Sequence, residues 1–136
     1  MARVLIVGCG CRGRELARAL RGVGHAVRGT TRDPANAPAI AEAGAEPYVG
    51  DPDRIGTLMD ALHGVTVVVW LAGGLEIPEG RLRMLWEKLV DTGVRGVVHE
   101  GPYEELSRTA SDTWQIPLAF AGDDPRGAVK RLLGVR

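Results

Sequence analysis

Val4-Leu5-Ile6-Val7 runs without a break into Gly8-Cys9-Gly10-Cys11-Arg12-Gly13, and that into a segment whose apolar residues Leu16, Ala19, Leu20 and Val23 fall at steps of three and four. The first stretch has the character of a buried strand, and the last has one apolar face of a helix, with Arg14, Arg18 and Arg21 on the opposite face. A glycine-rich turn that joins a buried strand directly to a helix limits the chain to a small set of βαβ architectures. In the spacing Gly8-x-Gly10-x-x-Gly13 each glycine has its own part: Gly8 permits a sharp turn, Gly10 close backbone approach of a ligand, and Gly13 tight helix–strand packing. Taken alone, such a spacing could serve a tight turn, since the chain holds 19 glycines in 136 residues. In this context it is a phosphate-binding turn, with the free N–H groups of the helix N-terminus facing the anion.

The rest of the chain keeps the alternation. Strands are expected at 3–7, 26–29, 46–49, 66–71, 96–99 and 117–121, and helices at 13–23, 34–43, 53–62, 80–91, 103–113 and 125–133. Gly24, Gly44 and Gly64 follow helical patterns where a left-handed cap is favoured, and Asp33-Pro34, Asp51-Pro52 and Asp124-Pro125 precede them. The expectation is an α/β fold: a doubly wound, Rossmann-like parallel sheet of about six strands in a three-layer αβα arrangement, forming one minimal domain over residues 1–136. Leu82, Leu85, Trp86, Leu89 and Val90 repeat at helical spacing, which assigns Trp86 to the core in preference to ligand stacking.

Charge is balanced, with 17 basic and 17 acidic side chains, so no polyanion-binding surface and no nucleic-acid partner is expected. The longest apolar run, Val65 to Gly74, is far below the roughly 20 residues of a membrane span, and no basic-then-apolar leader is visible; a cytoplasmic protein is expected. No metal site is expected, because His25, His63 and His99 follow different elements and Cys9-x-Cys11 supplies too few ligands. Two cysteines so close together cannot staple distant parts of a fold. In the phosphate loop the helix N-terminus could lower a thiol pKa and make the site redox-gated, although small apolar residues tolerated in a tight loop are the favoured reading. Ser107, Thr109 and Ser111 lie in a helical stretch without a nucleophile elbow.

The second strand bears on which dinucleotide is held. An acidic residue just after it selects the free 2′-hydroxyl of NAD, whereas this chain has Gly29-Thr30-Thr31-Arg32. A guanidinium at Arg32 beside the Thr31 hydroxyl suits a 2′-phosphate, so NADP is favoured over NAD. The alternative is that Arg32 and Asp33 simply open the next helix, and Asp33 is assigned to its cap. Asp51, after the third strand, could accept from an adenine amino group or could cap a helix beginning near Pro52. Leu71-Ala72-Gly73-Gly74, after the fourth strand, is either a close-approach site for a ribose or a plain turn. The expected cofactor set is Gly8, Cys9, Gly10, Cys11, Arg12, Gly13, Thr31, Arg32, Asp51, Pro52, Leu71, Ala72 and Gly73.

With these residues in place, residues 3–74 resemble the atypical short-chain dehydrogenase/reductase group, in particular its NmrA-like and YeeZ-like NAD(P)-binding proteins. The segments that carry the resemblance are Val4 to Leu20, Gly24-His25-Ala26-Val27-Arg28, Thr31-Arg32-Asp33-Pro34, Ala43-Gly44-Ala45-Glu46 and Gly50-Asp51. The G-x-G-x-x-G spacing is closer to the YeeZ-like members than to those with G-x-x-G-x-x-G. The resemblance implies cofactor contacts at Gly8, Gly10, Gly13, Arg32 and Asp51. It does not carry over catalysis, because reductases of the group use a Tyr followed four residues later by a Lys. Here the tyrosines are Tyr48 and Tyr103 and the lysines Lys88 and Lys130, so no such pair exists. Tyr103 and His99, with Glu100, fall where residues near a nicotinamide would come, and are the catalytic candidates.

Two function classes follow. One is an NADP(H)-binding protein of the atypical reductase type with weak oxidoreductase activity. The other is a non-catalytic regulator that senses a dinucleotide, either a redox sensor or a module like the TrkA-N potassium-transport regulators; the acidic residue those regulators carry after the second strand is replaced here by Arg32. A dinucleotide is the expected partner, the substrate is open, and three tryptophans in a small sheet protein are compatible with a homodimer.

Overall fold

A computed structural model describes residues 2–72 and 75–134. Its elements run β1 (Arg3–Val7), α1 (Cys11–Gly22), β2 (Ala26–Thr31), α2 (Ala37–Glu42), β3 (Glu46–Val49), β4 (Val67–Trp70), α3 (Glu79–Leu89), β5 (Gly96–His99), α4 (Glu104–Trp114), β6 (Leu118–Phe120) and α5 (Pro125–Leu133). The six strands form one sheet in the order β3-β2-β1-β4-β5-β6, and every pairing is parallel. This is the doubly wound Rossmann-like order expected from the alternation, and it places the reversal of strand order between β1 and β4.

The residue alternation within the central strands explains the three layers. Val4, Ile6, Val67, Val69 and Val98 bury on one face under α1, α2 and α5, against Leu16, Leu20, Ile40, Val129 and Leu132. Leu5, Val7, Val68, Trp70 and Val97 bury on the other under α3, with Leu82, Leu85, Trp86 and Leu89. Trp86 is 1% exposed, so its helical spacing does mark the core. Gly24, Gly44 and Gly64 have φ of 96°, 90° and 75°, the left-handed caps that the sequence suggested.

Three local expectations are corrected. The segment 53–62 is not an α-helix but two short 3₁₀ turns, Ile55–Leu58 and Asp60–Leu62. Its polar side chains take over backbone groups that a helix would use: the Thr57 hydroxyl donates to Arg54 O at 2.7 Å and accepts from the Asp51 N–H at 2.8 Å. Arg28 then anchors the turns to the sheet, donating to the carbonyls of Ala61, at 3.0 Å, and His63, with Glu46 as its counter-ion at 3.3 Å. The helix expected at 34–43 likewise divides into a 3₁₀ turn, Pro34–Asn36, and the short α2. In addition, β2 extends two residues further than expected, to Thr31.

Candidate functional site

The glycine loop leaves β1 at the point of strand-order reversal, and Thr30 in β2 pins it there. The Gly8 N–H donates to the Thr30 hydroxyl at 3.0 Å and the Cys9 N–H to the Thr30 carbonyl at 2.9 Å. Gly8 has φ +87°, and a Cβ there would come within 3.0 Å of the Leu71 carbonyl oxygen. A Cβ on Gly13 would lie 3.1 Å from Ile6 Cγ2, because α1 packs directly on β1. A Cβ on Gly10 would meet nothing within 4 Å, so the open side of the loop is at Gly10. No side chain caps α1, whose first internal bond runs from the Arg14 N–H to Gly10 O at 2.8 Å. The N–H groups of Cys11, Arg12 and Gly13 therefore have no partner within the helix. These features fit a phosphate group at the loop.

Beside the loop lies a cleft of about 290 Å³, lined by Gly8, Cys9, Gly10, Thr30, Thr31, Arg32, Asn36, Gly50, Pro52, Leu71 and Leu75. It joins residues from β1, β2, β3 and β4 that are far apart in the chain. Arg32 is the first residue past β2; it is exposed and makes no ion pair among the described residues. The carboxylate of Asp33 is committed elsewhere, accepting from the Ala35 N–H at 2.9 Å as the cap of the 3₁₀ turn. The Thr31 hydroxyl is buried in local bonds, donating to Asp33 O and accepting from the Asp33 N–H, both at 3.1 Å, and from Asn36 Nδ2 at 3.4 Å. The amide of Asn36 thus stands in the cleft next to Arg32. Sequence reasoning missed Asn36, Thr30, Gly50 and Leu75, because only the crossing of the chain at the sheet edge brings them there.

Other expected cofactor residues stand apart from the cleft. Asp51 accepts from the Asp53 N–H at 2.9 Å, closing a turn of its own, so it caps no helix. Ala72 is buried beneath Gly8, while Gly73 lies outside the described residues. Arg12 points away, pairing through Nη1 with Glu100 Oε2 at 2.7 Å and donating through Nη2 to the carbonyl of Gly122. Cys11 is exposed at the start of α1, and Arg14 donates to its sulfur at 3.3 Å.

Cys9 corrects the redox idea for that residue. Its side chain packs into the core under the loop with Ile6 and Ile40, and burial pushes the thiol up to about 11 from an ordinary 9.0, against the opposing pull of Arg14. A thiol held neutral is not the reactive species.

The two catalytic candidates are separated by their surroundings. His99 is 1% exposed and both ring nitrogens are in use: Nε2 lies 2.9 Å from Gly101 O and Nδ1 2.9 Å from the Ser107 hydroxyl, which also accepts from Trp86 Nε1 at 3.1 Å. A carbonyl can only accept, so Nε2 carries the proton and Nδ1 accepts from Ser107. His99 is therefore a structural joint inside the fold. Tyr103 is exposed at the N-cap of α4 with φ 73°, a strained setting for a tyrosine. Lys88 and Lys130 sit on α3 and α5, on opposite faces of the sheet. Among the described residues no group of three or more His, Cys, Asp or Glu could hold a metal, and no helix is long and apolar enough to cross a membrane.

Comparison with known proteins agrees with this geometry. No curated protein matches the chain by sequence. Among solved structures, the Citrobacter sp. triphenylmethane reductase is similar, with a TM-score of 0.70 and 20% identity over 87% of this chain and 47% of its own. AtPrR2 in its apo form has a TM-score of 0.65 and 21% identity, over 88% of this chain and 47% of its own. A short-chain dehydrogenase/reductase superfamily protein from Agrobacterium tumefaciens with bound NAD is 28% identical, with a TM-score of 0.56, over 71% of this chain and 31% of its own. The chain spans about half the length, or less, of these solved relatives. The resemblance to atypical short-chain reductases read from the sequence thus meets folds of that group. Residues 8–101, from the glycine loop to the turn after β5, match the family described as NAD(P)H-binding, and the chain belongs to that family.

Proposed function

We propose that the protein binds NADP(H) in preference to NAD(H), with the pyrophosphate at the Gly8–Gly13 loop and the 2′-phosphate at Arg32 and Asn36. The observation that carries this reading is the pairing state at the end of β2. Arg32 is exposed without an ion pair among the described residues, while the adjoining carboxylate, Asp33, is turned into its own cap. An unpaired guanidinium attracts a phosphate dianion, and a carboxylate held by a backbone N–H is not placed to receive a ribose hydroxyl. The neighbours support it in kind: the Citrobacter reductase is described in complex with NADP(H), and AtPrR2 with NADP⁺ and pinoresinol. When bound, the nicotinamide supplies hydride transfer; the chain's own residues hold and orient it. On this reading residues 1–136 form one domain that works in the cytoplasm, alone or as a homodimer. Titration of protein fluorescence with NADPH and, separately, NADH tests it; equal affinities, or tighter NADH, would overturn it.

A second reading, a non-catalytic dinucleotide sensor, is favoured by His99. Its ring is spent on structure, and no Tyr-x-x-x-Lys pair stands in its place. Turnover of NADPH with carbonyl or quinone acceptors would exclude this reading; tight binding without turnover would support it.

A further inference from the structure

The cation within the phosphate loop is already taken. Arg12 is the second residue of α1, in the turn whose free N–H groups face the anion position, yet its guanidinium crosses to Glu100 after β5, at 2.7 Å, and to Gly122 after β6. Glu100 Oε2 is shielded from solvent and makes no hydrogen bond, so the Arg12 charge is its sole compensation among the described residues. The Arg12 side chain is 45% exposed and that of Glu100 27% exposed, so Arg12 is the more accessible member of the pair.

Resting on the dinucleotide reading above, we propose that Glu100 is an affinity-determining residue of the pyrophosphate site and acts through Arg12. Its carboxylate competes with the ligand's pyrophosphate for the same guanidinium. A ligand anion at the α1 N-terminus must draw Arg12 off Glu100 and leave a shielded carboxylate oxygen uncompensated, and that cost lowers affinity. Glutamine at position 100 keeps the shape and removes the charge, so Arg12 becomes available to the ligand. Glu15 and Asp123 line the same recess beside Arg12, which makes the comparison with an Arg12 variant necessary.

The test is a double-mutant cycle on the full chain, with NADPH as ligand and adenosine, which has no phosphate, as control. Glu100→Gln is expected to tighten NADPH binding at least three-fold and to leave adenosine binding unchanged. In an Arg12→Ala background the same substitution is expected to change neither. Thermal unfolding of each variant establishes that it is folded, and Glu100→Asp serves as a second, charge-conserving variant that should not show the gain. NADPH binding that is equal or weaker in folded Glu100→Gln overturns the inference while leaving the dinucleotide reading intact. Equal tightening in the Arg12→Ala background also overturns it, since Arg12 would not be the intermediary. Failure of the wild-type chain and Glu100→Gln alike to bind NADPH overturns both.

Discussion

Cys9 Sγ lies where a side chain at residue 29 would have to be: a Cβ built on Gly29 would come 2.6 Å from that sulfur and 2.9 Å from Cys9 Cβ. The glycine in β2 is thus what lets the phosphate loop sit down on the sheet. Neither residue is explicable alone, because the small residue in the strand is shaped by the thiol in the loop.

Gly29→Ala should therefore act as an overpacking mutation. The nearest atoms include Cys9 Cβ, which cannot rotate away, and Ile40 Cγ2 at 3.1 Å. A loss of about 1–3 kcal/mol in chemical unfolding is expected, with NADPH binding weakened because the loop is displaced. Cys9→Ala in the same chain should recover much of both. A Gly29→Ala protein as stable as the wild type would show that the loop yields freely.

Burial of the Cys9 thiol sets a pH dependence. Its folded pKa of about 11 lies above the ordinary 9.0, so between those values the unfolded chain loses a proton that the folded chain keeps. Stability is then lost as pH rises from 9 toward 11, and the thiol's contribution is fully present below 9. Comparing unfolding free energies of the wild type and Cys9→Ala across this range should show a steeper decline in the wild type. At pH 8 a thiol reagent should label Cys11, which is exposed, and reach Cys9 only on unfolding.

Arg32→Ala should lower NADPH affinity about ten-fold or more and leave NADH affinity almost unchanged, since one charge-assisted contact to a phosphate is worth roughly 1.5–3 kcal/mol. Asn36→Ala should act in the same direction more weakly, through a neutral amide. Titrating both cofactors against each variant checks this, and parallel weakening of both would assign Arg32 a structural role.

Ser107 joins Trp86 to His99 in the interior, so Ser107→Ala leaves the Trp86 N–H and His99 Nδ1 without their partner. A cost of about 1–3 kcal/mol for each orphaned group is expected in equilibrium unfolding. Cofactor affinity should change less than stability, because none of the three side chains lines the cleft.

How much of this could be read from residues in order follows the range of the interactions concerned. The order of strands and helices, the glycine loop, the left-handed caps at Gly24, Gly44 and Gly64, and the core position of Trp86 all depend on local periodicity and backbone freedom, which neighbouring residues carry between them. The sequence by itself determined these, along with Arg32 as the basic residue that follows the second strand. The tertiary structure decided how the 3₁₀ turns of 53–62 are anchored to the sheet, because Arg28 from a distant strand holds the carbonyls of Ala61 and His63. It also decided that Cys9 points inward, that His99 is spent on Ser107 and Gly101, that Asn36 joins Arg32 in the cleft, and that Arg12 turns from the loop to Glu100. In each of those cases the deciding partner lies on another element or across a turn, and which charge or hydrogen bond wins depends on distances that exist only once the sheet is assembled.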